Sequence, residues 1–496
     1  MKFALIFQND TAAFLPELFL AVSILVVLLH GSFLGVSAAS LYTYLTPSMV
    51  RLTSTILFLS LLLVLNNPVE SQTLWNAIFV TDSIGTWSKL IVFLGLLFCV
   101  SVSESYMFSA RFRAYEFFVF IIGICLSLCL LISSYDLLSI YLSMEFLSLI
   151  FYVLAAWKKN SYFSAEAGLK YFILGSVASI FFLFGASLIY FAMGTTNLGS
   201  LTLLTENLTT SSPFIYLGLV CVVSALLFKI GAAPYHMWIA DVYEGSPTLV
   251  GFIFAVIPKF AFVVVILRLS FTSFWSFFPS LWENFFCVCG LFSLFIGCVC
   301  GLGETKIKRL LAFSSVGHVG FLCLGLASGN IEGIQAVLFY LSVYMLTAAF
   351  LWVYILHLDL SSTSGSTLLT FSDSIGLVRS NPLMGLGVAL MIFSLAGIPP
   401  FGGFFAKLNI FVSLVDSSFY ILAVFVVITS VISAFYYIRL IKIFYFEKNK
   451  NWFFFAPLSK GAAVVLVLSG LTIIFFMFSP NIFYLLTYKV GLGLMF

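Results

Sequence analysis

The chain has 496 residues, of which 62% are hydrophobic, 18% aromatic and only 8% charged. So little charge excludes a soluble globular domain and places the chain among the all-α, polytopic membrane proteins. The formal net charge of +3 reflects topology rather than an acidic partner, so no nucleic-acid partner is expected and lipid is the implied surroundings.

Lys2 precedes polar residues and then Phe14–Leu15–Pro16–Glu17, which leads into the first apolar run. The Arg/Ser-rich character of a transit peptide and a small-residue cleavage site are both missing, so import from the cytosol is not signalled. With 59 Phe, the chain fits synthesis inside the organelle that uses it. A bacterial plasma membrane is the other origin.

Apolar runs long enough to cross about 30 Å of hydrocarbon recur throughout, about fourteen in all. They cover 13–31, 50–66, 88–104, 115–133, 137–157, 168–192, 213–243, 248–270, 282–302, 308–328, 333–357, 383–415, 418–441 and 461–487. The runs 213–243 and 383–415 are too long for one simple crossing and carry internal proline. Pro234 in the first, and Pro399 and Pro400 in the second, each remove an N–H and clash with the preceding turn, so both spans should be discontinuous helices. In hydrocarbon such breaks survive only where protein or a water-filled cavity satisfies the freed groups.

With the N-terminus outside, inner loops and helix ends hold Arg51, Arg111, Arg113, Lys158, Lys159, Lys306, Lys308, Arg309, Arg379, Arg439, Lys442, Lys448, Lys450 and Lys460. The outer side then holds only Lys2, Lys89, Arg268 and Lys489. That asymmetry directs both termini outward. The Ser/Thr-rich segment Ser361–Ser374 reads as an inner loop. About five spans separate the two broken helices, and an odd offset inverts one unit relative to the other. The division this implies is a three-helix segment over 1–110, one repeat over 111–272, a second over 273–445 and a C-terminal helix over 446–496.

Nine cysteines are an odd count, and Cys287/Cys289 and Cys298/Cys300 are spaced i,i+2, which points their side chains to different helix faces. They read as apolar packing, with no metal site. No glycine-rich phosphate loop, haem motif or iron–sulfur spacing occurs, so no redox cofactor is expected in this chain.

The chemistry lies in charges inside the spans. Glu145 sits about eight residues into its run, roughly 12 Å deep at ~1.5 Å per residue. Lys229 precedes the first break, Lys259 lies near the middle of the next run, and Lys407 follows the second break. A central charge costs about 2.5–3.5 kcal/mol even on the mild insertion scale, so such residues mark ion pathways unless they merely snorkel or pair. A lysine whose carboxylate partner moves or is neutralised can release a proton, and linked sites titrate together. Glu145, Lys229, Lys259 and Lys407 are therefore candidates for a proton relay.

Glu166 and Lys170 are spaced i,i+4, as relay members or as an interfacial ion pair. His236 and His318 could shuttle protons or be hydrogen-bonded structural histidines. His30 and His357 fall at helix ends as interfacial residues. Asp241 and Glu244 read as solvated loop charges, with proton admission as the other possibility.

The run from Lys229 to Lys259, KIGAAPYHMWIADVYEGSPTLVGFIFAVIPK, resembles the signature of the antiporter-like, proton-translocating subunits shared by complex I and multisubunit cation/proton antiporters. YLSMEFLSLIFYVLA (141–155), SAEAGLKYFILG (164–175), ETKIKRLLAFSSVGHVGF (304–321) and SLAGIPPFGGFFAK (394–407) are similar, more narrowly, to the second-subunit type of NADH:ubiquinone oxidoreductase in its long, fourteen-helix form. The resemblance covers nearly the whole chain. It implies that Glu145 is a carboxylate paired with Lys229, that Lys259 is a central lysine and Lys407 that of the second broken helix, and that Glu166/Lys170 is a further charged pair. Thr248–Leu249–Val250 departs from the family's usual Thr-Pro-Val, which relaxes the start of one helix without removing a proton carrier.

The implied function is proton transfer across the mitochondrial inner membrane, with both termini facing the intermembrane space. Electron transfer from NADH through FMN and iron–sulfur clusters to ubiquinone would occur elsewhere in the complex. The implied partners are the other antiporter-like subunits and the small membrane subunits of the complex I membrane arm. Two other readings stay open: a subunit of a Na⁺ or K⁺/proton antiporter, and a structural subunit with a vestigial channel.

Overall fold

The computed structural model describes residues 9–35, 42–67, 71–109, 114–206, 213–361, 370–371, 375, 378, 381–447 and 458–495. Lys2, Arg111, Arg113, Arg379, Lys448, Lys450 and most of Ser361–Ser374, which sequence reasoning placed in loops or near a terminus, lie outside the described residues. Among the described residues thirteen helices are long and apolar enough to cross a membrane, and Pro382–Ala396 is a shorter apolar one. The chain is an all-α, multi-pass membrane protein.

Helices α1 (Leu15–Gly35), α2 (Tyr42–Leu65) and α3 (Ser83–Ser109) come first, with a hairpin of β1 (Gln72–Leu74) and β2 (Phe79–Thr81) between α2 and α3. Then follow α4 (Glu116–Ser133), α5 (Leu137–Ala155), α6 (Tyr162–Met193), the short α7 (Leu198–Glu206) and the broken span α8 (Pro213–Ile230) with α9 (Met237–Gly245). Next are α10 (Thr248–Val256), α11 (Pro258–Arg268), α12 (Glu283–Gly303), α13 (Ile307–Ala327) and α14 (Ile331–Ser361). The chain continues through the second broken span, α15 (Pro382–Ala396) with α16 (Gly402–Asp416), and through α17 (Tyr420–Phe446), α18 (Lys460–Phe478) and α19 (Pro480–Met495). Helices α10, α11, α13 and α14 are almost wholly buried, whereas α1, α2, α6, α17 and α18 leave apolar faces exposed. Lys259 and His318 lie on these buried helices.

Both expected breaks are present, and they are built alike. Gly231 (φ 86°) and Gly397 (φ 82°) end their half-helices in the left-handed region. In each, the glycine and the next residue donate back to the same carbonyl: Gly231 and Ala232 to Leu227 O (2.8 and 3.0 Å), Gly397 and Ile398 to Phe393 O (both 3.1 Å). These are Schellman closures, which satisfy carbonyls that a broken helix leaves open.

The structure refines some of the expected helices and charges and corrects others. The run 248–270 crosses as one span but is kinked at Ile257, because Pro258 supplies no N–H to the turn before it. The run 461–487 breaks at Ser479, ahead of Pro480, so two helices stand where one was expected. Helix α6 starts at Tyr162 rather than 168, which places Glu166 and Lys170 in its first turns. Lys89 and Arg268, assigned to the outer side of the membrane, are buried within the bundle. Lys89 Nζ meets Glu17 Oε1 at 2.5 Å, while Arg268 forks onto both oxygens of Asp82 (2.9 and 2.8 Å) and donates to Ile132 O and Ser134 O. Each is an anchor whose carboxylate partner lies 72 or 186 residues away in sequence.

A Cβ at Gly231 would collide with Ile239 Cδ1, and the left-handed backbone alone costs a non-glycine residue about 1–2 kcal/mol. Gly231→Ala should therefore lower the thermal midpoint of the detergent-solubilised protein and its yield in membranes. Gly303→Ala, where nothing lies within 4 Å, should leave both unchanged.

Candidate functional site

The first group of buried charges lies where α5, α6, α8 and α9 meet. On α5, Glu145, Ser148 and Tyr152 share one face at i, i+3 and i+7. Ser148 Oγ donates to Glu145 Oε2 at 3.1 Å, and Glu145 Oε1 is buried with no hydrogen-bond partner among the described residues. Lys229, in the last turn of α8, is buried, and its ammonium also has no hydrogen-bond partner among the described residues. It lies 5.7 Å from the centre of the Tyr152 ring, close enough for a cation–π attraction. The direct Glu145–Lys229 ion pair implied by the resemblance is not formed among the described residues; Glu145 is bonded to Ser148, and Lys229 faces the Tyr152 ring. Beside them a cavity of about 10 Å³ is lined by Ser148, Tyr171, Lys229, Trp238 and Pro258, among others, which is room for about one water.

The second group centres on α14. Lys259, in the first turn of α11, is buried, donates to Tyr344 Oη at 3.1 Å and lies 4.7 Å from the centre of that ring. The Tyr344 ring sits 5.0 Å from the imidazole of His318 on α13. His318 is buried and bonded at both nitrogens, Nδ1 to Tyr340 Oη (2.6 Å) and Nε2 to Tyr437 Oη (3.1 Å). A second cavity of about 10 Å³ is lined by His318, Tyr340, Tyr344, Ser394 and Lys407. Between Lys259 and Lys407 thus lie two phenols, an imidazole and a small cavity.

Lys407 Nζ donates to Ala396 O at 2.8 Å and lies 5.4 Å from the centre of the Phe321 ring. Ala396 is the last residue of its half-helix, so its carbonyl has no following turn to bond to, and the lysine caps it. Although the two breaks match in backbone, Lys229 precedes its glycine by two residues and Lys407 follows its own by ten. The lysines are not equivalent positions of a repeat.

Glu166 and Lys170 pair at 2.8 Å, and Lys170 also meets Asp241 of α9 at 2.7 Å. Their side chains are 36–43% exposed within the chain, so this triad sits on the rim of the bundle. Asp241 is thus an ion-pair partner on a helix rather than a loop charge. The same correction holds for Glu244, which pairs with Lys306 and with Arg309 (3.5 Å). Both carboxylates found cations on other helices, which no local pattern reveals. His236 precedes α9, half-buried, with Nδ1 lacking a hydrogen-bond partner among the described residues. His357, near the C-terminal end of α14, is buried within the chain.

Sequence reasoning missed Tyr344, Tyr340, Tyr437 and Tyr152. The available signal was tyrosine inside apolar spans, where a phenol needs a hydrogen-bond partner, with Tyr340 and Tyr344 spaced i,i+4 on one helix face.

The family described as NADH:quinone oxidoreductase/Mrp antiporter, TM, matches residues 134–433. NADH-ubiquinone oxidoreductase chain 2 of Marchantia polymorpha is 34% identical over 98% of this chain and 99% of its own. NADH-quinone oxidoreductase subunit N of Pelagibacter ubique is 35% identical over 88% of this chain and 90% of its own. Among solved structures, a chain of respiratory complex I from Thermus thermophilus superposes with a TM-score of 0.79 at 28% identity, covering 95% of this chain and 98% of that one. A chain of the Mrp complex from Dietzia has the same fold, with a TM-score of 0.82 at 18% identity over 98% of each chain.

Tyr344→Phe should leave the Lys259 ammonium short of a bond, at a cost of about 1–3 kcal/mol. The expected result is a lower thermal midpoint of the solubilised protein, with exposed Tyr420→Phe as an unshifted control.

Proposed function

The chain belongs to the NADH:quinone oxidoreductase/Mrp antiporter membrane-subunit family, and on that premise we propose that it is the chain 2 (subunit N) member of a proton-pumping NADH:quinone oxidoreductase. Protons pass through Glu145, Lys229, Lys259, His318 and Lys407, while NADH, FMN, iron–sulfur clusters and ubiquinone are handled by other subunits. The observation that carries this reading is the run of buried groups from Lys259 through Tyr344 and His318 to the cavity that Lys407 lines. Buried charges of this kind are costly as packing alone, about 2.5–3.5 kcal/mol each at the centre of a span.

Glu145 and Lys229 act as one titrating unit, because charge on either changes the energy of charge on the other. With no locked ion pair between them, a water or a hydroxyl such as that of Ser148, bonded to Glu145, carries the proton from one to the other. Glu166, Lys170 and Asp241 admit or pass protons at the rim, and His236 borders the first break. Residues 111–272 and 273–445 form the two oppositely oriented repeats, each containing one Schellman-closed break. The exposed apolar faces of α6 and α17 pack against neighbouring membrane-arm subunits or lipid. Synthesis within a mitochondrion and outward-facing termini complete the reading.

Two experiments test it. On a native gel of gently solubilised membranes, the chain should comigrate with a large assembly that stains for NADH oxidation; migration in a small complex without that activity would sink the proposal. In proteoliposomes, Lys229→Ala and Lys259→Ala should each slow NADH-driven acidification at least about tenfold, the loss expected when a barrier rises by about 1.4 kcal/mol or more. Assembly on the native gel should be unchanged. Wild-type pumping by both variants would remove these lysines from the path.

A further inference from the structure

Pro258 leaves one carbonyl without its helical donor, that of Phe254 at i−4. The backbone stays helical through Ile257 (φ −83°, ψ −47°), so an N–H at position 258 would point at this carbonyl. Tyr243 Oη donates to it instead, at 3.2 Å. Lys259 is the residue after Pro258, so the stranded carbonyl lies at the kink that sets where the Lys259 side chain starts.

Tyr243 is held in place from both sides. Its ring meets Trp352 of α14 edge-on at 5.9 Å and Trp238 at 6.3 Å, and all three side chains are buried. Trp352 also lies against α10, where a Cβ on Gly251 would come within 2.8 Å of its ring. Two turns back along α14 is Tyr344, which holds the Lys259 ammonium. The kink and the ammonium are therefore registered against the same helix, one through Tyr243 and Trp352, the other through Tyr344.

Trp238, on the same nine-residue helix α9, donates from Nε1 to Phe228 O at 2.9 Å, one residue before Lys229. Helix α9 thus closes a carbonyl beside each of two lysines on different helices. We propose that Tyr243 is a positioning residue for Lys259, its hydroxyl replacing the N–H that Pro258 lacks and so fixing the kink from which the lysine reaches Tyr344. This rests on the relay reading above.

The test is a cycle of Tyr243→Phe and Pro258→Ala in the full complex, read as NADH-driven proton uptake by proteoliposomes and as the thermal midpoint of the solubilised assembly. Tyr243→Phe keeps the ring and removes only the hydroxyl, and should slow pumping about five- to tenfold, the effect of about 1–1.4 kcal/mol. Pro258→Ala supplies a backbone N–H to Phe254 O, so adding Tyr243→Phe to Pro258→Ala should change neither readout further. Full pumping by Tyr243→Phe alone would overturn the proposal. So would an equal further loss in the Pro258→Ala background, which would mark Tyr243 as packing only. If Pro258→Ala itself stops pumping, the comparison is made on the midpoint. If the Tyr243→Phe chain does not assemble, the double variant should restore assembly, and failure to do so counts against the proposal. Lys259→Ala, run alongside, separates the two ideas: normal pumping there would reject the relay itself, whatever Tyr243 does.

Discussion

A helix that breaks inside hydrocarbon must find other donors for the carbonyls it abandons, and this protein breaks or kinks its central helices three times. Each unsatisfied group would cost several kcal/mol where no water can reach it. The solution is partly local, through the Schellman closures at Gly231 and Gly397. The rest is tertiary: Tyr243 serves Phe254 O and Lys407 serves Ala396 O, while Trp238 adds a second donor to Phe228 O, which the Gly231 N–H already meets. Polar side chains in the middle of the bundle are thus required by the backbone before any transport is considered. Where the backbone demanded donors, the fold acquired a set of groups that can also exchange protons.

Much of this was visible in the sequence. Composition settles the membrane class, the prolines at 234, 399 and 400 locate two of the breaks, and charges within apolar runs identify Glu145, Lys229, Lys259 and Lys407. These signals are legible because hydrocarbon penalises charge and broken backbone so heavily that each exception stands out. The kink at Pro258 was missed because its span has an ordinary length, so the proline alone was not read as an interruption.

What the sequence hid is pairing across distance. Lys89 and Arg268 look like ordinary outer cations until Glu17 and Asp82 fold onto them. Asp241 and Glu244 look like loop acids until Lys170, Lys306 and Arg309 arrive. The tyrosines around His318 were hidden for a related reason: in a chain with 22 Tyr, a phenol becomes informative only when its hydroxyl is seen to have a partner.

The bond from Lys407 to Ala396 O bears on why a lysine stands at that break. An ammonium has three N–H donors, and the neutral amine left after a proton departs still has two. The cap on Ala396 O therefore persists whether or not the side chain is charged. A histidine in that place would risk turning a donor into an acceptor, and a carboxylate has nothing to donate when ionised. An arginine would hold the carbonyl but never surrender its proton. Lysine alone among the cationic side chains keeps the helix end closed in either charge state, so under the relay proposed above the scaffold need not move when Lys407 gives up its proton.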